Sequence, residues 1–314
     1  MVCKVCGAKK ERLLLKCRDM DFPSKAVELF ECESCFAVFV RPQPTPKQMA
    51  PYYFQEYYNK PSFILKIIQS LRPNFFNGLK PGRLLDVGCG SGHFLETMQK
   101  KDWKCSGSEV SASSKQFLQE LTKKGIQVKY GNLPEISFPA ESFDLITFWH
   151  VLEHVPFPSD ELAVSRKLLA KNGRIFIAVP NIQSASFKLF KCNWFHLDAP
   201  RHQNHFSPKS LSLLLGKNGF VVEKISHYSF EFNPFGLLQS LYNGLGFEYN
   251  FLHHLIKRQP MKKNPRYWLR LVLTVVFLPV LVPLCVAFAY IFSFFGFGDT
   301  IQVLAKKKPV SVNF

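Results

Sequence analysis

The stretch Arg83-Leu-Leu-Asp-Val-Gly-Cys-Gly-Ser-Gly-His-Phe-Leu95 constrains the fold more than any other part of the chain. An apolar run ending in an acid predicts a strand, three alternate glycines predict a tight turn, and the pattern after them predicts a helix start. Gly88, Gly90 and Gly92 permit backbone angles that a side chain forbids and let a ligand approach the main chain. The N–H groups of the helix start have no intrahelical partner. Together they make a socket for a nucleotide-like cofactor. A dinucleotide fingerprint needs G-x-G-x-x-G, and the third glycine position is His93 here, so that class of cofactor is disfavoured.

Strand and helix patterns alternate beyond the socket. Trp103–Glu109 reads as a second strand ending in an acid, where a doubly wound fold places a carboxylate to accept both ribose hydroxyls, and Glu109 is the expected ribose ligand. The alternative is a solvated acid beside the Lys115–Lys124 helix, which Ser111 or Ser113 would cap. Ile126–Tyr130 is a short strand followed by the pair Gly131-Asn132. Phe143–His150 is long and apolar enough for a buried parallel strand. Lys167–Ala170 with Lys171-Asn-Gly173 closes a helix, and Arg174–Val179 is the fifth strand. The fold class is therefore α/β, a doubly wound Rossmann-like sheet with ligands at the carboxyl ends of its strands.

Asp86-Val-Gly-Cys-Gly-Ser-Gly92 resembles the first motif of class I S-adenosylmethionine (SAM) dependent methyltransferases. Pro200-Arg-His-Gln-Asn-His-Phe-Ser-Pro208, Leu211–Leu215 and Gly219-Phe220 resemble the subgroup related to ubiquinone-biosynthesis O-methyltransferases, over residues 81 to 228 plus the tail. The resemblance implies SAM held by Asp86, Gly88, Gly90, Gly92 and Glu109, with Asn132 at the adenine edge. It places Val151-Leu-Glu-His-Val155 at the reactive end of the cofactor, with His154 as first candidate base and His150 as second. His202 and His205 line the acceptor pocket or serve in capping and packing. Tyr57 or Tyr58 closes over the cofactor as a lid, or belongs to an amphipathic helix packed on the sheet.

Cys3-x-x-Cys6 and Cys32-x-x-Cys35 have the spacing of a tetrahedral structural zinc ribbon, with a redox pair or free thiols as the alternative. Cys17 is extra to that set, Cys89 reads as packing, and no catalytic zinc is expected. The chain begins without an apolar signal segment and its other cysteines are scattered singly, so disulfides are not expected and a reducing compartment is. Arg41-Pro-Gln-Pro-Thr-Pro46 is a stiff linker.

Leu271–Phe297 contains no charged residue and is long enough to cross a bilayer. Yet Asp299–Ala305 reads as the closing antiparallel strand of the sheet, partnered by Phe220–Tyr228, which demands both ends on one side. Pro279 and Pro283 are expected to break the run into two short arms, a monotopic or re-entrant hairpin. A buried helix pair and a true spanning helix are the alternatives. Gly236–Phe251 forms an interfacial approach to this anchor. Lys257, Arg258, Lys262, Lys263, Arg266 and Arg270 precede the run and Lys306–Lys308 follow it. The net charge of +17 is thus better explained by a membrane surface than by nucleic acid.

The expected order is zinc ribbon (1–45), helical linker or lid (46–80), SAM domain (81–230), membrane-associating insertion (231–298) and closing strand (299–308). The expected function is methyl transfer, most simply to oxygen, onto a small-molecule or lipid-linked acceptor of quinone or glycan type, by a cytoplasmic, membrane-associated enzyme. An RNA methyltransferase and an inactive scaffold tethering partners are the rivals.

Overall fold

The computed structural model describes residues 2–19, 22, 25–52, 63–110, 115–257, 261 and 264–308. Tyr57, Tyr58, Ser111, Ser113, Arg258, Lys262 and Lys263 lie outside the described residues. Strands β1 (Glu11–Arg18), β2 (Ala26–Cys32) and β3 (Val38–Arg41) are followed by helices α1 (Pro46–Met49) and α2 (Phe63–Gln69). The α/β core runs β4 (Arg83–Val87), α3 (His93–Gln99), β5 (Lys104–Glu109), α4 (Lys115–Lys123), β6 (Gln127–Tyr130), β7 (Phe143–Trp149), α5 (Pro158–Leu168) and β8 (Leu169–Pro180). Then come α6 (Ala185–Phe190), β9 (Asn204–His205), α7 (Pro208–Lys217), β10 (Phe220–Ser226), α8 (Asn233–Gly244), α9 (Phe251–Lys257), α10 (Pro265–Phe294) and β11 (Thr300–Lys307).

The central sheet has the order β10-β11-β8-β7-β4-β5-β6. β8, β7, β4, β5 and β6 are mutually parallel, and β11 runs antiparallel to both β8 and β10. β4 and β7 are apolar on both faces because helices cover both, and Leu84, Leu85, Leu145, Ile146 and Phe148 are fully buried. The chain leaves β4 toward β5 and β6 and returns on its other side as β7, so the topological switch point lies between β4 and β7. The fifth strand begins at Leu169, earlier than expected, and the helix stops at Leu168. Both leucines are buried, and Leu169 already pairs with Phe143, so burial ends the helix before the Lys-Asn-Gly turn signal does.

β1, β2, β3 and β9 form a second sheet. The N-terminal module is thereby joined to the α/β domain through β9, where Val38 pairs with His205. Gln43 adds to this seam by donating to Gln203 Oε1 (3.0 Å) and to the Pro156 carbonyl (3.2 Å), so the proline-rich segment is docked rather than a spacer. Cys17 is neither a spare thiol nor a zinc ligand but forms a disulfide with Cys192, which corrects the expectation of no disulfide. Spacing could not reveal this pair, since 175 residues separate its members and only folding brings the ribbon edge to the end of α6.

The apolar run is also corrected. It is one continuous helix of 30 residues with Pro279 and Pro283 inside it, not a hairpin of two arms. A proline removes one intrahelical hydrogen bond, and here the helix is held in register by packing on α8. Leu271, Leu278, Leu281 and Cys285 join Leu237, Leu238 and Tyr242 in one cluster. Among the described residues it is one helix long and apolar enough to cross a membrane, and its apolar stretch is mostly exposed.

Candidate functional site

The carboxyl ends of β4, β5 and β7 converge at the switch point. Gly88, Gly90 and Gly92 all adopt positive φ (68°, 54° and 76°). A Cβ on Gly88 would meet Val151 at 2.6 Å and one on Gly92 would meet Leu121 at 2.3 Å, whereas Gly90 faces open space. The turn is therefore packed from behind and open at Gly90, which fits close approach of a cofactor. Asp86, buried at the end of β4, accepts from Thr147 Oγ1 (2.7 Å), and burial raises its carboxyl to about 7. Glu109, at the end of β5, accepts the Gly90 N–H (2.8 Å) and the Val110 N–H (2.8 Å), so the acid predicted as the ribose ligand already touches the glycine turn. Asn132 stands exposed after β6, its N–H 3.3 Å from Glu135 Oε2.

A cavity of about 440 Å³ lies on the β7 side of the switch point. His150 and His154 line it, together with Phe195, His196, Asp198, Arg201 and His202 from the segment before β9, and Phe232, Phe235, Asn250, His253 and Lys257 from α8 and α9 or their approaches. The glycine turn is not part of its wall, so the two candidate bases face a chamber beside the cofactor socket.

His150 sits immediately after β7 with φ 53°, an uncommon conformation outside glycine. This sets its ring tilted against Phe232, with centroids 3.8 Å apart, and brings Nδ1 to 3.2 Å from Glu153 Oε1. His154 Nδ1 lies 3.2 Å from the Arg201 carbonyl and His202 Nδ1 lies 2.9 Å from the His196 carbonyl. An Nδ1–H donated to each carbonyl leaves Nε2 of both rings as a lone-pair nitrogen. The two rings meet edge to face at 4.6 Å. Burial, the largest cause, lowers His154 to about 4, His202 to about 4 and His150 to about 3, so all three are neutral at pH 7.

Glu153 is buried, with His150 Nδ1 3.2 Å and His202 Nε2 4.0 Å from its Oε1, and among the described residues no group meets its carboxylate in hydrogen-bond geometry. Burial raises its pKa, an effect opposed by His202 and His154. One ligand atom from each of Glu153, His154 and His202 falls within 4.8 Å of the others. Two histidines oriented by carbonyls beside a carboxylate can hold a divalent cation, a capacity that counting knuckle cysteines did not anticipate. Asp198 and Arg201 form an ion pair beside them; burial alone would raise Asp198, but Arg201 and His202 bring it down to about 2.

His205 is not in the chamber wall. It lies in β9, paired with Val38, buried, and among the described residues no group hydrogen-bonds its ring nitrogens. The chamber also contains residues that no motif announced. Arg72 clasps Glu231 through two hydrogen bonds (2.7 and 2.8 Å) and covers the Trp149 ring at 4.8 Å. Only Arg201 had a signal, within the Pro-Arg-His segment.

At the ribbon, Cys3 Sγ lies 3.6 Å from Cys35 Sγ and Cys6 Sγ lies 3.5 Å from Cys32 Sγ. Tetrahedral zinc with Zn–S near 2.3 Å requires S···S separations of about 3.8 Å. The N–H groups of Val5, Cys6 and Ala8 point at these sulfurs (3.4–3.5 Å), as suits thiolates. The four residues fit a structural zinc.

A family model described as a methyltransferase domain matches residues 54–225, more than half of the chain. The chain belongs to that family. Its members of class I are SAM-dependent methyltransferases with this α/β sheet. The methyltransferase chain is 33% identical over 118 residues to the ubiquinone biosynthesis O-methyltransferase of Pasteurella multocida, covering 33% of this chain and 49% of that one. It is 29% identical over 170 residues to the protein of the same name from Xanthomonas euvesicatoria, covering 49% and 68%. The methyltransferase thus spans about half the length of the Pasteurella relative. A solved structure from Galdieria sulphuraria, named as a candidate sarcosine dimethylglycine methyltransferase, superposes with a TM-score of 0.50 at 16% identity over 82% of this chain and 97% of that one, a likeness of fold alone.

Proposed function

We propose that this methyltransferase transfers the methyl group of SAM to an oxygen of an acceptor held in the His150–His154 chamber. The observation that carries the reading is the placement of that chamber across the switch point from the Gly88–Gly92 turn. SAM, when bound, supplies an electrophilic methyl on a sulfonium. Glu109 and the glycine turn hold the nucleoside end, Asp86 braces the turn from β4, and Asn132 stands near the adenine side. His154 Nε2 accepts the proton of the acceptor hydroxyl, with His150 as the second candidate, while Phe232 and Phe235 exclude water around the reacting oxygen.

The acceptor is a lipid or lipid-linked molecule of quinone or glycan type, met at a membrane surface. The apolar α10 and the arginines at its start, Arg266 and Arg270, support this. Zinc at Cys3, Cys6, Cys32 and Cys35 is structural. Intact Asp86, glycine turn and Glu109 weigh against the scaffold alternative, and the basic residues gather about α10 rather than in a nucleic-acid motif, which weighs against RNA. The clustering of Glu153, His154 and His202 ligand atoms favours a second reading of the same chamber, in which a divalent cation on these three would orient the acceptor oxygen.

The test is calorimetric titration of the purified protein with SAM, using NADH and Glu109→Ala as controls, followed by methyl transfer to a catechol. Saturable SAM binding lost in Glu109→Ala is expected; no binding by folded protein overturns the proposal.

A further inference from the structure

We infer that α10 lies flat on an anionic bilayer, immersing the face turned away from α8, and so holds the α9 wall of the chamber at the lipid surface. This rests on the membrane part of the proposed function and specifies its geometry.

Thirty helical residues extend about 45 Å, more than the ~30 Å of hydrocarbon that a spanning helix must cross. Length alone would permit a crossing, but both ends of α10 are fastened to one folded domain. Near its start, Arg270 Nη2 donates to the Gly246 carbonyl (3.0 Å) and the Tyr267 ring meets Phe251 at 5.9 Å. Near its end, Ser293 Oγ accepts from Asn233 Nδ2 (2.9 Å). Asn233 and Gly246 bracket α8, so α10 runs antiparallel along the whole of that helix. α8 is itself bonded into the domain, with Asn243 Nδ2 on the Asn193 carbonyl (3.1 Å) and Ser240 Oγ accepting the Phe195 N–H (2.9 Å). A crossing would drag these elements and the Lys188 and Lys191 side chains beside them into hydrocarbon.

The buried residues of α10, Tyr267, Thr274, Cys285, Ala289 and Ser293, follow one helical stripe. On the opposite side Leu269, Val276, Val280 and Phe294 are 59–77% exposed, with no charged residue from Leu271 to Phe297. Arg266 and Arg270 stand at one end of this strip, and at the other Lys188 covers the Phe297 ring at 4.1 Å; Lys306 and Lys307 lie at the far end of β11, where Lys306 faces Arg174, and take no part. Cations at both ends of an apolar strip match an anionic lipid surface, where such a helix sits about 5–10 Å deep. α9 has one side in the chamber, through His253, Ile256 and Lys257, while Phe251 and Leu252 belong to the cluster that α8 shares with α10, and Phe251 meets the α10 ring Tyr267 at 5.9 Å. A flat α10 therefore brings the chamber wall within reach of acceptors diffusing in the membrane.

The test uses the full chain carrying one fluorophore at Leu269→Cys, Val280→Cys or Phe294→Cys, bound to vesicles of phosphatidylglycerol and phosphatidylcholine that contain spin-labelled lipids. All three positions should be quenched to within about twofold of one another and best by shallow labels, and binding should be at least about tenfold tighter than to phosphatidylcholine alone. Strongest deep quenching at Val280, with Leu269 and Phe294 reporting opposite leaflets, would establish a crossing and overturn the inference. Absence of quenching at all three would also overturn it, pointing to a protein partner on this face. Methyl transfer to a soluble catechol in detergent, measured on the same samples, separates either failure from failure of the proposed enzyme activity.

Discussion

Gly90 and Gly92 share positive φ, yet a methyl group added to each meets different surroundings. Gly92→Ala drives Cβ into Leu121 and should lower stability by at least about 1–2 kcal/mol, read by denaturant unfolding. Gly90→Ala meets no protein atom, so it should cost less stability and instead weaken SAM binding; equal effects on both properties would contradict the socket. Glu109→Ala removes the acceptor of two N–H groups and, in its proposed role, of the ribose hydroxyls, and SAM affinity should fall by about tenfold or more with the far-ultraviolet spectrum retained. His154→Ala should reduce kcat by about 10²–10⁴-fold at saturating acceptor if it takes the proton, and unchanged turnover would transfer the role to His150. Glu109 and the glycines were legible because their chemistry depends on neighbours close in sequence. Arg72, Glu231 and Phe232 were not, because the chamber gathers them from segments about 160 residues apart.

Two elements carry separable expectations. The N-terminal sheet has a modest core, and four thiolates at tetrahedral separations should supply much of its stability. Stripping the metal with a chelator, or Cys32→Ser, should expose the ribbon to proteolysis while metal analysis falls below about one zinc per chain. Because β9 belongs to that sheet, ribbon loss should also disturb the segment carrying Arg201 and His202, and turnover should fall together with the zinc content. The two C-x-x-C knuckles announced the four-cysteine cluster, but nothing local announced that β3 would find β9. For α10, composition gave an apolar run and two prolines suggested a break; tertiary packing on α8 keeps the helix whole.

Across the whole molecule, protonation links the buried chamber to stability. His150, His154, His196, His202, His205 and His253 are all lowered by burial to about 3–4, below the ~6.5 of an exposed histidine. Between these values the unfolded chain binds more protons, so their contribution is complete above about pH 6.5 and is lost as pH falls toward 4. Asp86, Glu153, Glu161 and Asp299 are raised by burial and oppose this, holding protons that the unfolded chain releases. Six groups outweigh four, and the melting temperature should be lower at pH 5 than at pH 7 by roughly 2–4 °C or more; a higher value at pH 5 would show that the carboxylates dominate. Sequence by itself determined the alternating α/β sheet, the socket between strand and helix, the acid at the end of the second strand and the four-cysteine cluster. Each of these is written in residues near one another, where backbone geometry or ligand spacing leaves few solutions. Only the tertiary structure decided the His-lined chamber, the Cys17–Cys192 disulfide, the place of His205 in β9 outside the chamber wall and the continuity of α10. Those depend on which distant surfaces bury one another, a property of the packed chain that periodicity and motif spacing do not encode.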